Sequence, residues 1–170
     1  MEPKAIVYTS NTGYTAQYAA LLAKKTGLHA YTLDEALGKL PDGAEIIYMG
    51  WIMAGKIQGF ITALKRYQVA AVCGVGMNPT GAQLTVVRQA NGLHEDMPVF
   101  TLQGGLNMDK LHGFKRLILK IMGGSMGHQL VAKQDRTPEE DDMLDMMLHG
   151  GQRVRVENLR SALDWYRAQE

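Results

Sequence analysis

Along the first two thirds of the chain, short β-favouring runs are followed in turn by polar turns and by apolar stripes at helical spacing. Lys4 to Tyr8 is such a run, and Thr9-Ser10-Asn11-Thr12-Gly13 after it is a polar turn cluster. Tyr14 to Thr26 then carries Tyr18, Leu21 and Leu22 with Ala16, Ala19, Ala20 and Ala23, a helical stripe that stops at Gly27. Leu28 to Leu33 reads as a second strand, Asp34 to Leu40 as a short helix and Pro41-Asp42-Gly43 as a turn. Glu45 to Met49 is a third strand ending at Gly50, and Gly59 to Tyr67 is helical. Val69 to Val75 is a nearly continuous apolar run, the pattern of a strand buried on both faces. Thr80 to Asn91 reads as a helix, and Met97 to Leu102 as a fifth strand ending in Gln103-Gly104-Gly105. Strands alternating with helices in this way predict an α/β fold with a parallel sheet.

Beyond the fifth strand the pattern turns helical: Met108 to Met122, Pro138 to His149 and Glu157 to Ala168. Gly123-Gly124-Ser125-Met126-Gly127 and Gly150-Gly151 punctuate these segments. At 170 residues the chain has the length of one domain, and the stretch from about 105 to 150 is longer than one closing helix needs. That stretch is expected to be a helical elaboration of a single domain.

Charge narrows the function. The formal net charge of +1 makes no electrostatic case for nucleic acid. Cys73 is the only cysteine, which excludes an internal disulfide and any multi-cysteine metal site; in its apolar strand it reads as a small core residue. His29, His94, His112, His128 and His149 show no ligand-pair spacing, so no metal is expected. No apolar run approaches the length of a membrane span, and the first residues lack the apolar core of a signal peptide, so a cytoplasmic protein is expected.

The chemistry concentrates in loops. A phosphate monoester needs several donors converging on it, and a loop between a strand and a helix N-terminus offers amide N–H groups, hydroxyls and a favourable dipole together. Thr9-Ser10-Asn11-Thr12-Gly13-Tyr14-Thr15 lies at such a place, with hydroxyls on Ser10, Thr12 and Thr15, an amide on Asn11, and Gly13 to admit close backbone approach. The alternative is that a Ser or Thr merely caps the first helix. Neither a G-x-x-x-x-G-K-[ST] loop nor a G-x-G-x-x-G after the first strand is present, which argues against a nucleoside triphosphatase or a dinucleotide fold. No general acid, base or nucleophile stands out, so catalytic residues are unassigned.

Ser10-Asn11-Thr12-Gly13-Tyr14-Thr15 after a first strand resembles the flavodoxin phosphate loop, S/T-x-T-G-x-T, with Tyr14 where many members have asparagine. The resemblance covers about residues 4 to 105. It implies a three-layer, doubly wound fold with a five-stranded parallel sheet of order 2-1-3-4-5, here extended by extra C-terminal helices. It also implies bound FMN and electron transfer through it. In that family the flavin ring lies between loops after the third and fourth strands, which here are Gly50-Trp51-Ile52-Met53-Ala54-Gly55-Lys56 and Gly74-Val75-Gly76-Met77-Asn78-Pro79-Thr80. Trp51 is suited to cover a flat conjugated ring, with an edge-of-core tryptophan as the plain alternative. The second loop has Met77 and no aromatic, and neither loop holds Asp or Glu, unlike the acidic electron carriers of the family.

Leu102-Gln103-Gly104-Gly105 and Lys115 to Gly124 resemble the branch containing menaquinone-dependent protoporphyrinogen oxidase. The implied partners are a redox protein or a small-molecule electron acceptor such as a quinone. Two alternatives stand beside the FMN electron-transfer expectation: a quinone-dependent protoporphyrinogen dehydrogenase, and a flavin-free interaction domain that keeps the fold. Lys110, Lys115, Arg116 and Lys120 would give the Leu111 to Met122 helix a basic face. A helix packed on the domain with solvated lysines is favoured over membrane association, because Glu139, Glu140, Asp141, Asp142 and Asp145 follow.

Overall fold

The computed structural model describes residues 2–107, 109 and 125–169. It divides into two compact units, Met1–Gly104 with Val154–Glu170, and Gly105–Arg153.

The first unit is built on six strands. They are β1 (Ala5–Tyr8), β2 (His29–Thr32), β3 (Glu45–Met53), β4 (Lys56–Ile57), β5 (Gln68–Gly76) and β6 (Val99–Gln103). The order is β2-β1-β3-β5-β6, with every neighbouring pair parallel, and the two-residue β4 returns antiparallel on β3. With β4 set aside as part of a hairpin, this is the predicted five-strand order 2-1-3-4-5. Alternation along the central strands fills two cores, one on each face of the sheet. Ile6, Ile47, Met49 and Cys73 meet Tyr18 and Leu22 of α1 (Tyr14–Thr26) and Leu163 of the last helix, Arg160–Arg167. Val7, Ile46, Tyr48 and Val72 meet the other side, covered by α2 (Leu33–Lys39), α3 (Phe60–Leu64) and α4 (Leu84–Asn91) through Ala36, Phe60 and Val87. Helices on both faces of a mostly parallel sheet make this a flavodoxin-like three-layer α/β fold.

Helix ends follow local chemistry. α1 stops where Gly27 takes a left-handed conformation and donates its N–H to the Ala23 carbonyl. α2 begins with a capping box between Thr32 and Glu35, and the Thr32 amide and hydroxyl hold the Glu35 carboxyl below the usual carboxylate range. The closing segment is tied back by Tyr18, whose fully buried hydroxyl donates to the Gln103 carbonyl at 2.5 Å and accepts from Asn158 Nδ2 at 2.6 Å. Cys73 is buried, and burial pushes its thiol up to about 12, so it stays protonated.

In the second unit, β7 (Gly105–Leu106) and β8 (Gly151–Gln152) form a two-stranded antiparallel ladder, with helices over Ser125–Ala132 and Pro138–His149 between them in the sequence. Pro138–His149 has its predicted bounds, set by a Thr137–Glu140 capping box and Pro138 in the first turn. Asp142 pairs with Arg153 at 2.9 Å.

Several boundaries differ from expectation. The third strand does not end at Gly50 but runs on to Met53. The fourth helix starts at Leu84, not Thr80, because residues 80–83 are held as a turn against β6. The third helix is shortened to Phe60–Leu64, and the last begins as a 3₁₀ turn, Val156–Leu159. Ser125 and Gly127, read as part of a break, lie within a helix. The expected helix Met108 to Met122, its basic face, His112 and the Lys115 to Gly124 resemblance lie outside the described residues. Among the described residues, no helix is long and apolar enough to cross a membrane, and no three His, Cys, Asp or Glu side chains gather to hold a metal.

Candidate functional site

Parallel sheets of this kind form a crevice where the strand order reverses, outside the carboxyl ends of the two strands that diverge. Here those strands are β1 and β3. Tyr8 is in register with Met49, and the Thr9 N–H donates to the Met49 carbonyl at 3.0 Å. The polar loop 9–15 therefore leaves the sheet beside Gly50 and Trp51.

The loop turns into α1 through Gly13, which caps the helix at φ 97° with no side-chain cap hydrogen bond. The exposed Ser10 folds back over the helix start instead: its Oγ accepts from the Gly13 N–H at 3.2 Å and the Ala16 N–H at 3.3 Å. The amides of Asn11, Thr12, Tyr14 and Thr15 have no acceptor among the described residues. Nor is the Asn11 side chain or the Thr12 hydroxyl engaged there. Thr15 is only 1% exposed, and its hydroxyl also has no partner among the described residues. A helix start normally satisfies such groups with caps or water, and an anion at this end is favoured by the helix dipole as well. The loop is thus rich in donors and free of charge.

Thr9 and Tyr14 have other work. The Thr9 hydroxyl donates to the Gln58 carbonyl at 2.8 Å, and Tyr48, whose hydroxyl lies 3.2 Å from that of Thr9, donates to the same oxygen at 2.7 Å. Burial pushes the Tyr48 hydroxyl up to about 12, so it remains a donor. The Tyr14 side chain enters the core on the α1 face, where a Cβ at Gly104 would come within 3.0 Å of Tyr14 Cβ and 2.8 Å of Val75 Cγ1. Only the backbone of Tyr14 is left for a ligand.

The segment expected as a loop over 50–56 is a β-hairpin. Strand alternation puts Trp51 and Met53, both half-buried, on the face shared with Met49 and α1, and turns Ile52 to the opposite face. The glycines nearby serve this packing. A Cβ on Gly74 would lie 2.8 Å from Ile52 Cδ1, and one on Gly50 would lie 2.6 Å from both Gln58 O and Ile57 Cγ2. Gly76 has Ile52 at 3.5 Å. Ala54 and Gly55 form the turn at φ 49° and 79°, the paired positive values that a tight hairpin of primed type needs. Lys56 is exposed. Alanine in the left-handed region costs about 1–2 kcal/mol, so Ala54→Gly is expected to raise stability by about 1 kcal/mol once the greater freedom of the unfolded chain is deducted. The urea midpoint of the two chains checks it.

The loop after β5 is held against β6. Gln103 donates its backbone N–H to Thr80 Oγ1 at 3.0 Å and its side-chain amide to the Met77 carbonyl at 3.2 Å. Thr101 Oγ1 donates to the Ala82 carbonyl at 2.8 Å, and Asn78 Nδ2 to Gln83 Oε1 at 2.8 Å. Met77 and Asn78 are half-buried.

Of the residues singled out in the sequence, the structure sets 9–15 and the start of the hairpin side by side at the end of β1 and β3. Val75 pairs with Trp51 on β5, which brings the third segment alongside. Sequence reasoning missed Tyr48, Gln58, Asn91 and Thr101, which fix these loops from strand, turn and helix positions with no local signal; Thr80 and Gln103 stand out in the sequence, but not for tying one loop to the next strand. No family model matches this chain, and no curated protein matches it.

Proposed function

We propose that the chain binds FMN by its phosphate at residues 10–15, with the ring against Trp51 and Met53, and serves as an electron-transfer flavoprotein. One observation carries the reading: the hydroxyl of a buried threonine and a set of amides, without partners among the described residues, stand together at the switch point of the sheet. Asn11, Thr12 and Thr15 each offer a side-chain donor there, and no carboxylate lies in the loop to repel an anion. The donor set fits a phosphate monoester. Gly13 gives the backbone its turn toward the group, while Thr9 ties the loop to the hairpin base. Trp51 supplies a flat apolar face one strand away, suited to a conjugated ring. Bound FMN would supply one- and two-electron chemistry, and the protein its binding, orientation and electrostatics. The matching partners are a redox protein or a small acceptor such as a quinone.

Isothermal titration with FMN, riboflavin and FAD, with absorbance followed in parallel, tests this. FMN is expected to bind at least about tenfold more tightly than riboflavin, which corresponds to about 1.4 kcal/mol. FAD, whose second phosphate and adenosine find no recognition motif, is expected to bind more weakly than FMN. Equal affinity for FMN and riboflavin would remove the phosphate site, and binding of neither would remove the function.

A further inference from the structure

The hairpin that carries Trp51 is held at its tip by one side chain from α4. Asn91 Nδ2 donates to the Gly55 carbonyl at 2.9 Å and to the Val87 carbonyl at 2.7 Å, and Asn91 Oδ1 accepts from the Ile57 N–H at 2.9 Å. Both amide hydrogens and the oxygen are therefore engaged, which leaves the side chain one orientation. Packing reinforces the contact: a Cβ on Gly55 would lie 3.2 Å from Ala90 Cβ and 3.4 Å from Val86 Cγ1. The two hairpin groups that Asn91 holds, Gly55 O and Ile57 N, lie on the returning arm of the turn, just after Ala54, which sits in the left-handed region.

We propose that Asn91 is a positioning residue for the ring side of the site, fixing the Ala54–Gly55 turn so that Trp51 and Met53 meet the ring in one geometry. The proposal rests on the FMN reading and adds a residue to it. Left-handed alanine is a conformation that the turn leaves unless something holds it. Asn91 holds it by the returning arm, at Gly55 O and Ile57 N, and the carbonyl of Gly55 is thereby turned to α4 and withheld from any ligand. Removing the amide frees that carbonyl and lets the Gly55–Lys56 peptide rotate, which loosens the turn beside it. The strand end carrying Met53 and Trp51 then loses its fixed direction. Such a change touches the ring and leaves the phosphate loop alone.

The full chain with Asn91→Ala, and with Asn91→Asp as a second variant that keeps the acceptor for Ile57 but loses both donors, tests this. Each is titrated with FMN and riboflavin, and the midpoint potential of bound FMN is measured beside the melting temperature. Both ligands are expected to bind about five- to tenfold more weakly, by the same factor, in keeping with the loss of hydrogen bonds that hold the ring side. The potential is expected to move, because oxidised and reduced FMN will not be weakened equally. Adding Ala54→Gly to Asn91→Ala restores a turn that no longer needs holding, so most of the affinity returns. A purely structural asparagine would lower the melting temperature and leave affinity and potential as they were, which would overturn the proposal. A loss confined to FMN, with riboflavin unchanged, would overturn it too. Failure of the wild-type chain to bind FMN overturns the functional reading itself and this proposal with it.

Discussion

Gly59→Ala is expected to destabilise the protein by about 3–5 kcal/mol, the sum of a left-handed alanine, an overpacked contact and a broken hydrogen bond. Gly59 has φ 76°, and a Cβ there would collide with the Tyr48 hydroxyl and lie 2.6 Å from Thr9 Cγ2. Tyr48 is fully buried and cannot retreat without leaving the Gln58 carbonyl. Gly27 is the control. It has nearly the same φ, 75°, but nothing lies within 4 Å of its Cβ position. Gly27→Ala should therefore show the conformational cost alone, about 1–2 kcal/mol. Urea unfolding of the two variants separates the terms: equal losses would mean that the hydroxyl cluster contributes nothing. Because Thr9 shares the cluster, Gly59→Ala should weaken FMN as well.

Thr15→Val is expected to leave the free protein nearly as stable as before and to weaken the bound one. Valine keeps the shape and removes a hydroxyl that has no partner among the described residues, so the ligand-free protein should keep its stability to within about 1 kcal/mol. The same hydroxyl is assigned to the phosphate, and loss of one charge-assisted hydrogen bond costs about 1.5–3 kcal/mol, roughly ten- to a hundredfold in affinity. Riboflavin has no phosphate and should bind the variant as it binds the wild type. A melting temperature measured without ligand and titrations with both flavins give the three readings. Unchanged FMN affinity in a folded variant would move the phosphate away from Thr15.

Much of the fold was legible because the local signals agreed with one another. The stripe in Tyr14–Thr26 ends at a glycine that does cap the helix, and Thr137, Pro138 and Glu140 mark the start of a helix by chemistry alone. The hairpin was not legible. Gly50 looks like a strand end, yet it is a glycine because Ile57 and Gln58 cross it, and the strand continues with the same alternation. Ala54 hid the turn, since a tight turn of positive φ is ordinarily announced by Asn, Asp or Gly at that place. Asn91 reads as an unremarkable last residue of a helix; its contact with Gly55 spans 36 positions, and no local pattern encodes that. The donor-rich loop was visible as composition. That Thr9 serves the hairpin and that Tyr14 serves the core depend on neighbours brought in by the sheet.

The short ladder of Gly105–Leu106 with Gly151–Gln152 bears on how such a chain is put together. Paired antiparallel, Gly105 faces Gln152, so the backbone departs after Gly104 and comes back at Val154 through points a few ångströms apart. A segment whose two ends meet can be lengthened, exchanged or excised at little cost to its host, since closing the gap asks only for a tight turn. Residues 105–153 have the anatomy of a cassette: the doubly wound sheet and its final helix are the frame, and what the cassette holds can change without rewriting the loops at the sheet's carboxyl edge.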